Sequence, residues 1–156
     1  MNEVNFRERI LATGAPAATV LIRLMVGAVF LSEGIQKFIR PAEIGAGRFA
    51  KIGIPAPETT ALMVGTFEIV CGALVVLGLL MRLAVIPLIV IMLVAITTTK
   101  VPILLREGFW EMAHEARTDY SMLLGSIFPF IVGAGRWSLD DRLHGRTAPL
   151  RSPRQP

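Results

Sequence analysis

TTALMVGTFEIVCGALVVLGLL, residues 59–80, is an apolar run with a single charged side chain, Glu68, near its middle. A helix of that length rises about 33 Å at 1.5 Å per residue, enough for a hydrocarbon core of about 30 Å. A carboxylate at such a depth is costly unless it meets a partner or faces a polar cavity, so Glu68 is a functional-site candidate. Gly65 and Gly72 fall on the same helical face, one on either side of it.

Outward from this run the apolar pattern repeats at residues 17–38, 83–99 and 120–135. Of the 156 residues, 53% are hydrophobic and only 18% charged, with a mean hydropathy of +0.61. These values lie outside the range of soluble domains. Backbone polar groups inside a bilayer must be satisfied within their own segment, so the spans are helices. The expected class is all-α, an integral membrane four-helix bundle. The expected organisation is a polar N-terminal lead at 1–16, a four-helix transmembrane domain at 17–143 and a disordered basic tail at 144–156. Only Met81 and Arg82 separate the second and third runs, which must form an antiparallel hairpin. The third run, nearly pure Ile, Val, Leu and Met, is expected to be the most lipid-exposed. The connection 39–58 places Arg48, Phe49, Lys51 and Ile52 at the interface, and 101–118 reads as a loop with Phe109 and Trp110 at headgroup level.

The net charge of +4 does not point to nucleic acid, because the basic residues are spread over connections and tail rather than gathered in one patch. They read instead as membrane topology: eight Lys and Arg on the side of the termini against seven on the other place both termini in the cytoplasm by a narrow margin. The first run carries Arg23 and lacks a small-residue cleavage pattern, so it reads as a retained helix, not a signal peptide. Cys71 is the only cysteine, which leaves no internal disulfide and no thiol pair for redox work. His114 and His144 lie outside the runs, so no haem is expected. Glu111 and His114 form one Glu-x-x-His, whereas a di-metal bundle needs two plus further carboxylates, so no metal is expected either.

In the first run, Arg23, Gly27, Phe30, Gly34 and Lys37 fall on one stripe, with Glu33 nearby. Small residues let helices approach closely, so this stripe is expected against Gly65, Glu68 and Gly72. Measured from the side of the first connection, the helical rise puts Lys37 within about 2 Å of the boundary, Glu33 about 7 Å deep, Glu68 about 12 Å and Arg23 about 22 Å. Asp119 and Lys100 belong to the same side. Glu33, Lys37, Glu68, Lys100 and Asp119 are therefore expected to converge on one mouth, with Arg23 at the cavity floor and Tyr120 beside Asp119. Equally, these charges could be fixed ion pairs that hold the bundle, with Lys37 snorkelling to the headgroups.

RLMVGAVFLSEGIQKF (residues 23–38), GIPAP (53–57), GTFEIVCGALVVLGLLMRLA (65–84) and DYSMLLGSIFPFIVGAGRWSLD (119–140) together resemble the DoxX family of small four-helix membrane proteins. The resemblance covers residues 21–143. It implies a multi-pass protein of the bacterial inner membrane, related to the DoxD-type small subunit of thiosulfate:quinone oxidoreductase. It also implies that Arg23 and Glu68 are the family's recurring buried charges. Two departures stand out: Lys100 where relatives often carry His, and Asp119 where they commonly carry Glu.

Two functions from different classes follow. In the first, a redox-associated subunit binds a quinone or a similar small molecule. Arg23 and Glu68 would contact it and relay protons, Glu33, Lys37, Asp119 and Tyr120 would complete the binding set, and a partner protein would supply electrons. In the second, a non-enzymatic scaffold, assembly factor or solute-permeation protein uses the same charges structurally. Both have the lipid bilayer as surroundings, and both allow an oligomer.

Overall fold

The first long helix, α1 (Thr19–Ile39), ends where Arg40 precedes Pro41, a position that disfavours helical backbone. In the computed structural model, which describes residues 15–147 with the side chains of 144–147 excepted, the chain then makes a short helix, α2 (Ala46–Lys51). Pro57 opens α3 (Pro57–Leu77) at the first helical position, where its missing N–H costs nothing. Gly78, with φ of 65°, closes α3: its N–H reaches Val75 O at 3.1 Å and the Leu79 N–H reaches Leu74 O at 2.9 Å, the paired bonds of a Schellman ending. A side chain at Gly78 would also collide with Arg23 Cζ and Ser138 Cβ, each 2.6 Å from a Cβ placed there.

After this turn α4 (Met81–Glu107) runs antiparallel to α3, followed by the short α5 (Phe109–Glu115), then α6 (Arg117–Val132) and α7 (Leu139–Thr147). Thr97, Thr98 and Thr99 do not stop α4, because each hydroxyl bonds back to a carbonyl of the preceding turn, at Leu93, Val94 and Ala95. α1 packs most extensively on α3, α4 on α6; α3 meets α4 and α1 meets α6 more sparsely. The α1–α3 seam follows the expected glycines. A Cβ at Gly34 would lie 2.8 Å from Gly65 O, and one at Gly27 would lie 2.8 Å from Gly72 O, so the two backbones touch there. The buried side of α1 contains Arg23, Gly27, Phe30, Gly34 and Lys37, the stripe read from the sequence.

The hydrophobic core gathers at the hairpin end, where Val26 and Phe30 meet Cys71, Val75, Met81, Val85 and Leu88. α1, α3 and α4 are long and apolar enough to cross a membrane, and α4 is the least buried of the three. α6 has 16 residues, about 24 Å of rise. Exposed Leu21, Leu62, Leu83, Leu93 and Ile131 face outward as lipid contacts would. Exposed Trp110 and Trp137 stand near opposite ends of the helices, as indoles do at two interfaces.

The all-α class and the α3–α4 hairpin are as expected; three details differ. Residues 101–118 are not a loop, since α4 continues to Glu107 and α5 follows. α7 was not anticipated, and it carries regular structure past residue 143, to Thr147. Of the expected lead and tail, residues 1–14 and 148–156 lie outside the described residues.

Candidate functional site

Glu68 lies on the face of α3 turned to α1 and is 3% exposed. Gly34 and Gly65 bring the helices close enough for Lys37, near the end of α1, to reach it: Lys37 Nζ is 2.7 Å from Glu68 Oε2. At that distance the ammonium and the carboxylate form a close, charge-assisted pair. Lys37 also lies 3.9 Å from Glu33 Oε2 and donates a long bond to the Glu33 carbonyl at 3.5 Å. One lysine thus serves two carboxylates, one buried and one half-exposed.

Beside this pair opens a cavity of about 550 Å³, within the range of small-molecule sites. Its walls are mostly apolar, with Phe30, Val64, Phe67, Ile91 and Met122 among them, and Glu33, Lys37 and Glu68 form its charged side. Arg48, Phe49 and Ile52 cover it from α2 and the residue after it, and Thr98, Thr99 and Thr118 add hydroxyls. Asp119 lines it too, held by Lys100 Nζ at 3.3 Å, and with 22% of its side chain exposed it is more accessible than Glu68 and less so than Glu33.

Arg23 is elsewhere. It is 2% exposed and sits at the hairpin end, where its guanidinium donates to Val75 O at 3.2 Å and Val76 O at 2.6 Å, to Ala134 O at 3.4 Å and to Trp137 O at 3.2 Å. Val75 and Val76 end α3, so a cation meets the negative end of the helix dipole. Asp140, 1% exposed, does the converse for α4: its carboxylate accepts from Leu80 N–H at 2.8 Å and Met81 N–H at 3.0 Å. Burial holds the Asp140 carboxyl above its ordinary value, a rise opposed by these two N–H bonds and by the Arg23 charge. The expected Arg23–Glu68 pocket is therefore not formed. Glu68 takes Lys37 as its cation, and Arg23 clamps the α3–α4 turn without lining the cavity.

The model of the DoxX family matches residues 18–101, more than half of the chain. The chain belongs to the DoxX family. A similar protein of Mycobacterium tuberculosis (strain ATCC 25618 / H37Rv), described as an uncharacterized membrane protein, is 55% identical over 144 residues, 88% of this chain and 88% of its own length. No solved structure matches the chain. In this DoxX protein the matched segment contains Arg23, Glu33, Lys37, Glu68 and Lys100, while Asp119 and Asp140 lie beyond it.

Of the residues expected to form the DoxX site, Glu33, Lys37, Glu68 and Asp119 share one cavity. Tyr120 is exposed on α6 and Arg23 is in the hairpin clamp. Sequence reading missed Asp140, although Ser138 followed by two acids is a helix-start signal; Ser138 Oγ indeed accepts from Asp141 N–H at 3.1 Å. It also missed Arg48 as a cavity residue, since nothing in the sequence of the first connection shows it folding back over the site.

Proposed function

We propose that this DoxX protein is a redox-associated membrane subunit that binds a quinone, or a similarly shaped polar-headed apolar molecule, beside Lys37 and Glu68. The observation that carries the reading is the buried Lys37–Glu68 pair facing a largely apolar cavity. A quinone ring needs apolar walls and hydrogen-bond donors for its carbonyls. Lys37 has three donors; its contact with Glu68 is short and the two with Glu33 are long. Glu68 lies buried in the cavity wall beside Lys37, a position from which a carboxyl can hold or release a proton. The residues present fit the group. A bound quinone supplies two-electron, two-proton redox chemistry, with electrons from a partner protein. Lys37 orients the headgroup, Glu68 holds a proton at Oε2, and the apolar walls exclude water.

The account takes α6 as a fourth crossing helix, which makes a four-helix bundle of the bacterial inner membrane with both termini cytoplasmic. The test is titration of a short-chain quinone into the protein in lipid nanodiscs. Wild type binds, and Glu68→Gln, still folded, binds at least about tenfold more weakly, about 1.4 kcal/mol. Equal affinity would remove Glu68 from the site. A second reading, a scaffold held by structural charges, draws on the Arg23–Asp140 clamp. It predicts that charge-removing variants change stability alone.

A further inference from the structure

α4 fully buries Met81, Ala84, Val85 and Leu88 in its first turns, and from there to Lys100 its residues are exposed or only partly buried. That half-buried middle is where it lines the cavity. Val90 and Val94 of α4 and Met63 and Phe67 of α3 line the cavity and are each about half exposed. Exposure of cavity-lining residues on two adjacent helices fits a cavity that opens between them, and α3 and α4 meet only sparsely. Near the hairpin the Arg23 and Asp140 bonds hold the end of α3 and the start of α4, and elsewhere the two helices meet sparsely, which leaves room for an opening between them. It gives onto the outward apolar surface that carries Leu62 and Leu93.

We propose that the cleft between α3 and α4 is a lateral portal to the bilayer, in which the alkyl or isoprenoid tail of the bound molecule lies while its headgroup faces Lys37 and Glu68. The occupant follows from the surroundings. The four residues at the lips are apolar, the outer face is set among acyl chains, and Glu33, Lys37 and Glu68 form the charged side of the cavity. A tailed, polar-headed lipid-soluble molecule satisfies both ends without crossing water. The ligand class rests on the reading above, whereas the portal stands on the geometry alone.

The experiment uses the full chain in nanodiscs and a benzoquinone bearing an alkyl tail with a diazirine at its far end. After illumination, adducts are mapped by mass spectrometry. The portal predicts labelling of Met63, Phe67, Val90 and Val94 several-fold above Leu62 and Leu93, which lie outside the cleft on the same two helices. Val90→Trp, or Val94→Trp should the first not fold, lowers the cleft labelling several-fold, and Leu93→Trp leaves it unchanged. Even labelling around the lipid face, or labelling concentrated on residues 48–54, would overturn the portal. Exclusion of the probe by a second copy, seen as Val90→Cys chains cross-linking to one another, would overturn it as well. The same tail on a simple alcohol separates the two ideas. If it labels the cleft as strongly, and Glu68→Gln changes neither probe, the portal holds and the quinone headgroup does not.

Discussion

Replacing Arg23 by methionine keeps the length and apolar stem of the side chain and removes a guanidinium that serves four carbonyls from two separate parts of the chain. Two of these, on Val75 and Val76, lie at the negative end of α3; the others, on Ala134 and Trp137, belong to the link between α6 and α7. Hydrogen bonds to charged groups contribute about 1.5–3 kcal/mol each, but four sharing one guanidinium are not additive. The 3.4 Å bond to Ala134 is the weakest of them. Removal also takes away a nearby positive charge that favours the buried Asp140 carboxylate. We expect Arg23→Met to destabilise by about 4 kcal/mol from the loss of these bonds. Arg23→Lys should recover less than half of the loss, because an ammonium lacks the planar fork that spans both sides of the turn. The assay is reversible unfolding in mixed micelles, followed by circular dichroism. Quinone affinity per folded molecule should stay within about twofold of wild type, since Arg23 lies outside the cavity. A stability loss below about 1 kcal/mol, or lost affinity at unchanged stability, would refute the clamp and return Arg23 to the binding site.

Three further outcomes are expected. Lys37→Met leaves Glu68 buried without its close cation and should cost about 3–5 kcal/mol, while Lys37→Met with Glu68→Leu should cost markedly less; additive losses in the same unfolding assay would contradict a coupled pair. Gly34→Ala drives a methyl against Gly65 O and Ile69 Cγ1, each 2.8 Å away. Because one neighbour is backbone, α1 and α3 must separate at about 1–3 kcal/mol, and an unchanged melting temperature would show that the seam is loose. Asp140 titrates above its ordinary value, so between that value and its raised folded one the folded protein holds a proton that the unfolded chain has released. Acidification through this window therefore favours folding as far as Asp140 is concerned, and wild type should gain more stability, or lose less, than Asp140→Asn as pH falls from 7 toward 4. The opposite difference would refute the assignment.

The α1–α3 seam was legible because glycines and charges are sparse in apolar runs, and one helical stripe sufficed to collect Gly27, Gly34 and Lys37 opposite Gly65, Glu68 and Gly72. The convergence of Glu33, Glu68 and Asp119 on one side followed from helical rise alone. Rise and stripe do not say which cation reaches Glu68, however. Arg23 shares the stripe, but its long side chain turns to the helix end, where four carbonyls compete for it more effectively than a distant carboxylate. The connections were harder to read. Thr97–Thr98–Thr99 and Pro102 look like a helix stop, yet the threonine hydroxyls are satisfied by their own helix and α4 runs on to Glu107. α7 is polar and gives no apolar periodicity, so neither the helix nor the role of Asp140 could be drawn from hydropathy. The folding of α2 over the cavity depends on tertiary contact between Arg48, Phe49 and the helices beneath them, which no local pattern encodes.

The most direct test is mass spectrometry of the lipid-soluble molecules that co-purify with the protein in a mild detergent, for wild type and for Glu68→Gln shown to be folded. A quinone retained in stoichiometric amount by wild type and lost from Glu68→Gln is the predicted result. Its absence from both, or its equal retention by both, would contradict a ligand site built on Lys37 and Glu68.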